Sequence, residues 1–521
     1  MARQEREPAL ESGYDVIIIG AGIGGLTCGA ALAKAGKRVL ICEQHTKPGG
    51  YVTSFKRKGF TFDGGLQSFG SNGLVFPILK ELGLYDKVRF APAHFQIITP
   101  HVKLDLSSFP QVKERLKKAF PQAKGQLDSY FRELERLATP IEEMFTGGKP
   151  ALPLLSGSEK AAAMFSFPFT NLSLLRNVIR YQKKTSLDFI DEYITDARLK
   201  LILVSMSYYP VTSVMVMAGL WYTFMKDYWY PIGGMQNFAN LFADLIERNG
   251  GTISLGTRVD QIMVESGVAT GVKLADGRQV QSQFVVSNID WKQTFAKLIE
   301  RNYLEEEFIA HIEKAKVSET TFCVYLGTNL NRSSFEGLAH HVYYLPSYSK
   351  HFSERDVSDP DFFRDCVIWL ALPSISDHSL APPGKSVVTL MTNAPYDYLG
   401  KWKTEDGRRT EAYRKLKEKI ADQLIAIAER VIPGLSRHIV VRQIATPLTY
   451  ERYTLNSEGA SAGWSWDPRY AYTSRYKSSA GSLRTPITNL LTCGHWCYHP
   501  GGVPSAMLTG WMVADMIHSM S

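Results

Sequence analysis

Two apolar runs near the start of the chain, DVIII and RVLIC, carry almost no polar position, the pattern of strands buried on both faces. Between them GAGIGG reads as a tight turn and LTCGAALAKAG as a helix of small residues, giving strand, helix and strand from residue 14 to 43. Further on, MQNFANLFADLIER spaces its apolar residues for one helix face. After it, GGTISLGTRV reads as a single strand, and VKLADGRQVQSQFVVSN as a hairpin turning at Asp276 and Gly277 into an apolar strand. Near the far end NLLTCG predicts a strand ending at Gly494, Pro500 to Pro504 a turn, and SAMLTGWMVADMI a helix.

Residues 201–225 lack charge throughout, which is long enough for a bilayer span. Ser205, Ser207, Pro210, Thr212 and Ser213 make the middle polar and break a helix there, so two buried helices lining an apolar chamber are expected instead.

Composition adds bounds. The 521 residues are 45% hydrophobic and 21% charged, an ordinary globular balance long enough for two joined domains. The net charge of +8 is spread along the chain, which argues against a nucleic-acid partner and suits mild attraction to anionic lipid. Six cysteines in such a chain make no disulfide scaffold. The first residues lack an apolar signal core, and no internal repeat is present, so a cytoplasmic location is expected, with peripheral membrane contact left open.

The strongest chemical signal is the turn. Gly20, Gly22 and Gly25 hold the G-x-G-x-x-G places, with Gly24 beside them, and Glu43 ends the second strand where a carboxylate can meet a ribose. The helix start behind the turn faces the phosphates of a dinucleotide. A nicotinamide or a flavin fits that much.

The residues after Glu43 choose between them. Pro48, Gly49, Gly50 and Tyr51, then Asp63, Gly64 and Gly65, resemble the FAD-binding start of the flavin amine oxidase and phytoene desaturase superfamily. The stretch P-x-GG-M at 231–235, with its helix, hairpin and VVSN, strengthens the likeness, as do TPLTYERYTLNSEGASAGWSW at 446–466 and HPGGVP at 499–504. The chain is thus similar to the phytoene desaturase, carotenoid isomerase and retinol saturase group. The resemblance implies FAD contacted by Gly20, Gly22, Gly24, Gly25, Glu43, Gly49, Gly50, Tyr51, Val259, Gly494, His495, Gly502 and Val503. Tyr51 stands where many relatives carry Arg, and His495 where many carry an acid.

Cys493, His495, Cys497 and His499 alternate like metal ligands. Along a strand the outer two would lie about 20 Å apart, whereas zinc donors converge to about 2.0–2.3 Å from the ion. A flavin cradle is the better reading, with no metal and no disulfide.

The expected fold class is therefore α/β, a Rossmann-type FAD-binding domain from residues 12–75, 231–290 and 480–521. A discontinuous mixed α+β substrate domain would come from 76–230 and 291–479, with a helical part around Arg176, Arg180, Lys183 and Lys184 touching membrane. The implied substrate is a long apolar polyene, carotenoid or retinoid-like, desaturated or saturated by hydride transfer at flavin N5. A redox-neutral cis–trans isomerase using reduced FAD is the alternative, and a flavin amine oxidase a further one. No acid–base residue stands out by spacing; His499, Tyr498 and Asp227 are the candidates, and the electron partner is unassigned.

Overall fold

The apolar run Tyr14–Ile19 forms the middle of a seven-stranded sheet, with Val16, Ile17 and Ile18 fully buried. The computed structural model describes residues 13–146, 172–181, 184–207, 210–348, 354–467, 483–498 and 501–520. Parallel neighbours Val39–Cys42 and Gln279–Ser287 flank the middle strand. Thr252–Ser254 extends one side, and Leu490–Thr492 pairs in parallel with Gln279–Ser287. The antiparallel strands Val268–Leu274 and Val259–Glu265 finish the other. One sheet thus joins three widely separated stretches of sequence.

Three helices pack beside it: Ile23–Lys34 lies between Met235–Arg248 and Val503–Met520. The contact with the last of these is backbone to backbone. A side chain at Gly510 would meet the Gly24 carbonyl at 2.2 Å and the Cys28 amide at 3.1 Å.

Two local expectations need correction. GGTISLGTRV is not one strand: it breaks after Ser254 and resumes at Val259, because the chain turns through Gly256 at φ +67°. That turn is held by Gly256 and Thr257 amides donating to the His45 and Glu43 carbonyls. The terminal helix also starts earlier than expected, at Val503, and takes Pro504 into its first turn, where a missing N–H costs nothing. The hairpin at Asp276 and Gly277 is where it was expected.

A second seven-stranded sheet runs Ile439–Ala445, Thr320–Thr328, Ser386–Ala394, Ile368–Ala371, His341–Tyr344, Phe95–Ile98 and Lys103–Asp105. Strand alternation divides Thr320–Thr328 between two cores. Phe322, Val324 and Leu326 join the core that includes residues of helix Glu411–Glu429, while Cys323 and Tyr325 join the core of the first sheet. A helical layer surrounds Tyr130, Phe131 and Trp221. The uncharged stretch 201–225 contributes to it as two helices, Ala197–Val204 and Val214–Lys226, as expected. No helix among the described residues is long and apolar enough to cross a membrane.

Candidate functional site

A cleft of about 1310 Å³ opens along the ends of the first sheet's strands and continues toward the second sheet. Its floor is the glycine turn. Gly20 sits at φ +94°, a left-handed conformation that a side chain would strain. Helix Ile23–Lys34 begins at Gly22 with no side-chain cap and no acid in its first turn, so its leading N–H groups stay open to an anion. Asn288, just past strand Gln279–Ser287, braces the turn from beneath, its Nδ2 donating to the Gly20 carbonyl at 3.1 Å. A Cβ at Gly22 would lie 3.0 Å from Asn288 Nδ2, and at Gly24 or Gly494 2.7 or 2.5 Å from its Oδ1. The glycines leave room for this one amide.

Gly49 joins the same floor. Its amide donates to the Ala21 carbonyl at 2.8 Å, and a Cβ at Gly50 would press on Gly22 Cα at 3.3 Å. Gly25 is the exception among the predicted glycines, for it does not line the cleft. A Cβ there would strike the Gly20 carbonyl at 2.4 Å, so Gly25 closes the turn on itself. Glu43 lines the cleft with its carboxylate held by the Ala21 and His45 amides, each at 2.8 Å. Burial nevertheless raises its carboxyl above the ordinary range, against those two bonds. Val259 lines the same end.

The other end is aromatic. Tyr51 spends its hydroxyl on the Ala460 carbonyl at 2.9 Å, tying the double-glycine turn to the 446–466 segment. Its ring lies 6.2 Å from that of His495 and 5.9 Å from that of Tyr450. Gly494, His495, Trp496, Gly502 and Val503 complete this wall. His495 Nε2 is buried with no hydrogen-bond partner among the described residues, and burial lowers the imidazole to about 4, keeping it neutral. A buried polar atom in such a state awaits a ligand group. Side-chain-free turns, an open helix start and a partnerless imidazole in one cleft fit a dinucleotide flavin.

The three acid–base candidates are not brought together here. Asp227 is outside the cleft lining; its carboxylate accepts from Trp229 Nε1 at 2.7 Å and from the Asn72 amide at 2.5 Å, and burial raises its carboxyl. Tyr498 also lies outside the lining, its hydroxyl near Met512 Sδ at 3.7 Å. His499 falls outside the described residues. Cys493 and Cys497 are buried free thiols, both raised by burial, Cys497 to about 12.

Several cleft residues carried no readable signal. Tyr325 and Tyr450 line the cleft with hydroxyls 3.0 Å apart, although 125 residues separate them. Asn288 closes the VVSN run, but nothing in its spacing announces a brace. For Tyr325 the one hint is the alternation of Thr321, Cys323 and Tyr325 with the apolar Phe322, Val324 and Leu326.

Comparisons with known proteins agree with this geometry. Residues 23–518 match the family model described as flavin containing amine oxidoreductase. Among curated relatives, prolycopene isomerase of Daucus carota is 25% identical, over 97% of this chain and 80% of its own length. The neurosporene-forming phytoene desaturase of Rhodobacter capsulatus is 26% identical, covering 96% and 93%. All-trans-retinol 13,14-reductase of Danio rerio is 23% identical, covering 96% and 86%. Among solved structures, an oxidoreductase from Methanosarcina mazei superposes with TM-score 0.60 at 18% identity over 96% of this chain and 99% of that one. Putrescine oxidase bound to putrescine gives 0.62 at 15% identity over 97% and 99%, a likeness of fold. With the cleft and the family match in agreement, the chain belongs to the flavin-containing amine oxidoreductase family and is an FAD enzyme.

Proposed function

We propose that this enzyme acts on a long apolar polyene of carotenoid or retinoid type, adding or removing hydrogen across carbon–carbon bonds. The reading is supported by the aromatic end of the cleft, while each carboxylate lining the cleft among the described residues already has a hydrogen-bond or ion-pair partner. Glu43 holds two backbone amides, Asp260 pairs with Arg258 at 2.8 Å, and Glu451 accepts from Tyr396 at 2.9 Å. The aromatic end, walled by Tyr51, Tyr325, Tyr450, His495 and Trp496, suits a hydrocarbon, which needs no anion to hold it. The relatives named for carotenoid and retinoid conversions lie on the same side.

Bound FAD supplies hydride exchange at its N5 atom. The chain's own part is to bind, orient and dry. The open helix start at Gly22 would hold the pyrophosphate, Glu43 and Val259 the adenosine end, and Gly49, Gly50, Tyr51, Gly494, His495, Gly502 and Val503 the ribityl chain and ring. The segments 12–75, 231–290 and 480–521 form the cofactor unit, and 76–230 with 291–479 the substrate unit. Helix Leu172–Tyr181 exposes Leu172 and Ile179, with Arg176 and Arg180 also exposed, a face suited to a lipid surface holding the substrate.

The likeness to prolycopene isomerase makes redox-neutral cis–trans isomerisation with reduced FAD the second reading. Anaerobic incubation of holoenzyme with cis and trans polyenes, with and without dithionite, separates them by product mass. A change of two hydrogens gives a redox enzyme. An unchanged mass with altered retention, seen only when FAD is reduced, gives an isomerase. Peroxide from amines, with every polyene untouched, would refute both.

A further inference from the structure

Strand Thr320–Thr328 turns three polar side chains, Thr321, Cys323 and Tyr325, toward the first sheet at successive alternate positions. They form a continuous hydrogen-bonded chain once Tyr450, from helix Pro447–Thr454, is added. Thr321 Oγ1 lies 3.6 Å from Cys323 Sγ. The Tyr450 hydroxyl donates to that sulfur at 2.9 Å and lies 3.0 Å from the Tyr325 hydroxyl. Tyr325 in turn donates to the Gly64 carbonyl at the cleft wall. One end, Thr321, is half-buried; the middle, Cys323, is only 1% exposed; the other end lines the cleft.

Each member carries an exchangeable proton, and each adjacent pair is within hydrogen-bond reach. Burial raises the Cys323 thiol and holds both tyrosines well above their ordinary value, so all three stay protonated at neutral pH. Such a row holds its protons at neutral pH and cannot act as a base. No charged group takes part, which suits a wall facing hydrocarbon.

We propose that Tyr450 is the proton donor of the reaction in the cleft and that Cys323 and Thr321 restore its proton from solvent. The proposal rests on the polyene reading. In saturation, the Tyr450 hydroxyl turns from the Cys323 sulfur toward the cleft, and its proton forms a new C–H bond at one carbon of the double bond. The electron pair and the second hydrogen come to the neighbouring carbon from reduced FAD, which is left oxidised. Tyr450 oxygen then takes the Cys323 proton, and the sulfur takes one passed by Thr321 from water. In isomerisation the same proton is lent and returned. Tyr325 keeps Tyr450 aimed by its bond to Gly64, and Cys323 acts through Tyr450 as a positioning and resupply group.

The test uses holoenzyme, pre-reduced without oxygen, with a polyene panel in D₂O, and compares wild type with Tyr450→Phe and Cys323→Ala. Wild type incorporates deuterium into product. Tyr450→Phe loses about 10²- to 10⁴-fold in turnover while keeping its FAD content. Cys323→Ala keeps its first turnover and slows in later ones, because only resupply is broken. A reading without substrate comes from infrared spectra of the oxidised holoenzyme: the S–H band of Cys323, isolated by subtracting Cys323→Ala, shifts in Tyr450→Phe. Full turnover by Tyr450→Phe overturns the proposal, and so does an S–H band that Tyr450→Phe leaves in place. If wild type converts no polyene, the substrate reading fails and the proton step fails with it; a shifted band then locates the error in the substrate and not in the chain of hydrogen bonds.

Discussion

Asn288 Nδ2 donates to the Gly20 carbonyl across 268 residues of sequence. The amide is thereby wedged among Gly22, Gly24 and Gly494, each of which approaches it too closely to carry a side chain. Phosphate-binding turns are usually credited to their glycines alone; here the glycines are shaped around a side chain from another strand. Replacing it with alanine orphans the Gly20 carbonyl and loosens the turn. Asn288→Ala is expected to weaken FAD retention by about 5- to 150-fold, the equivalent of about 1–3 kcal/mol for a stranded buried group. Released flavin fluorescence on dilution measures it, and retention equal to wild type would disprove the bracing role.

The same crowding can be tested from the other side. A methyl group at Gly24 would stand 2.7 Å from Asn288 Oδ1, 2.8 Å from Gly494 Cα and 3.0 Å from the Ala506 carbonyl. Two of these are backbone atoms with nowhere to go. Gly24→Ala is expected to cost about 1–3 kcal/mol in stability and to purify without yellow colour. Gly36→Ala serves as the comparison: no atom crowds that position, and although its φ of +82° carries strain, it lies away from the cleft. Its FAD content should match wild type.

The pH dependence has its source in a buried histidine. Burial lowers His340 from its ordinary 6.5 to about 3, and its Nδ1 lies 2.9 Å from Ser376 Oγ. Above the unfolded value, near 6.5, neither state binds the proton and stability is whole. As pH falls below it, the unfolded chain binds a proton that the folded chain refuses, so stability drains until about pH 3. The slope for one such group approaches about 1.4 kcal/mol per pH unit. Urea melts at neutral and mildly acidic pH should therefore show a shallower loss in His340→Gln than in wild type. Parallel curves would show that His340 is not a source of acid sensitivity.

Asp227 gives a prediction that separates support from chemistry. Its carboxylate holds Trp229 and the Asn72 amide, away from the cleft. Asp227→Ala strands both donors and is expected to destabilise by about 1–3 kcal/mol with FAD content and polyene binding unchanged. A stable variant that no longer turns over polyene would return Asp227 to the acid–base groups.

Local order was legible because local physics sets it. The strand, turn, helix and strand of residues 14–43 come from apolar runs and glycine, and the hairpin from Asp276 and Gly277. The failure at Ser254 has a local cause too: GTISLGTRV has strand-forming residues on both sides of Gly256, and only the glycine hints that the chain turns. The cleft wall was less legible. Tyr450 meets Tyr325 across 125 residues, and Tyr51 meets Ala460 across 409. Those pairs depend on how two sheets and a helical layer dock, which leaves no period in the sequence. Backbone-mediated positions such as Gly49 were readable because glycine itself is the signal; a tyrosine in a core and a tyrosine in a cleft look alike.

The first sheet has a consequence for how the protein is made. Its strand Leu490–Thr492 and the helix Val503–Met520, which carries Gly510 against Gly24, come some 470 residues after the turn they complete. A nascent chain that has already emptied its first βαβ unit from the ribosome still lacks Gly494, His495 and Val503. Helix Met235–Arg248 and strand Gln279–Ser287 can cover part of that unit earlier, but the face that takes Val503–Met520 must wait some 470 residues. The cradle for FAD is therefore incomplete until residues 490–503 have left the ribosome, and a chain stopped before residue 490 lacks one wall of the cleft.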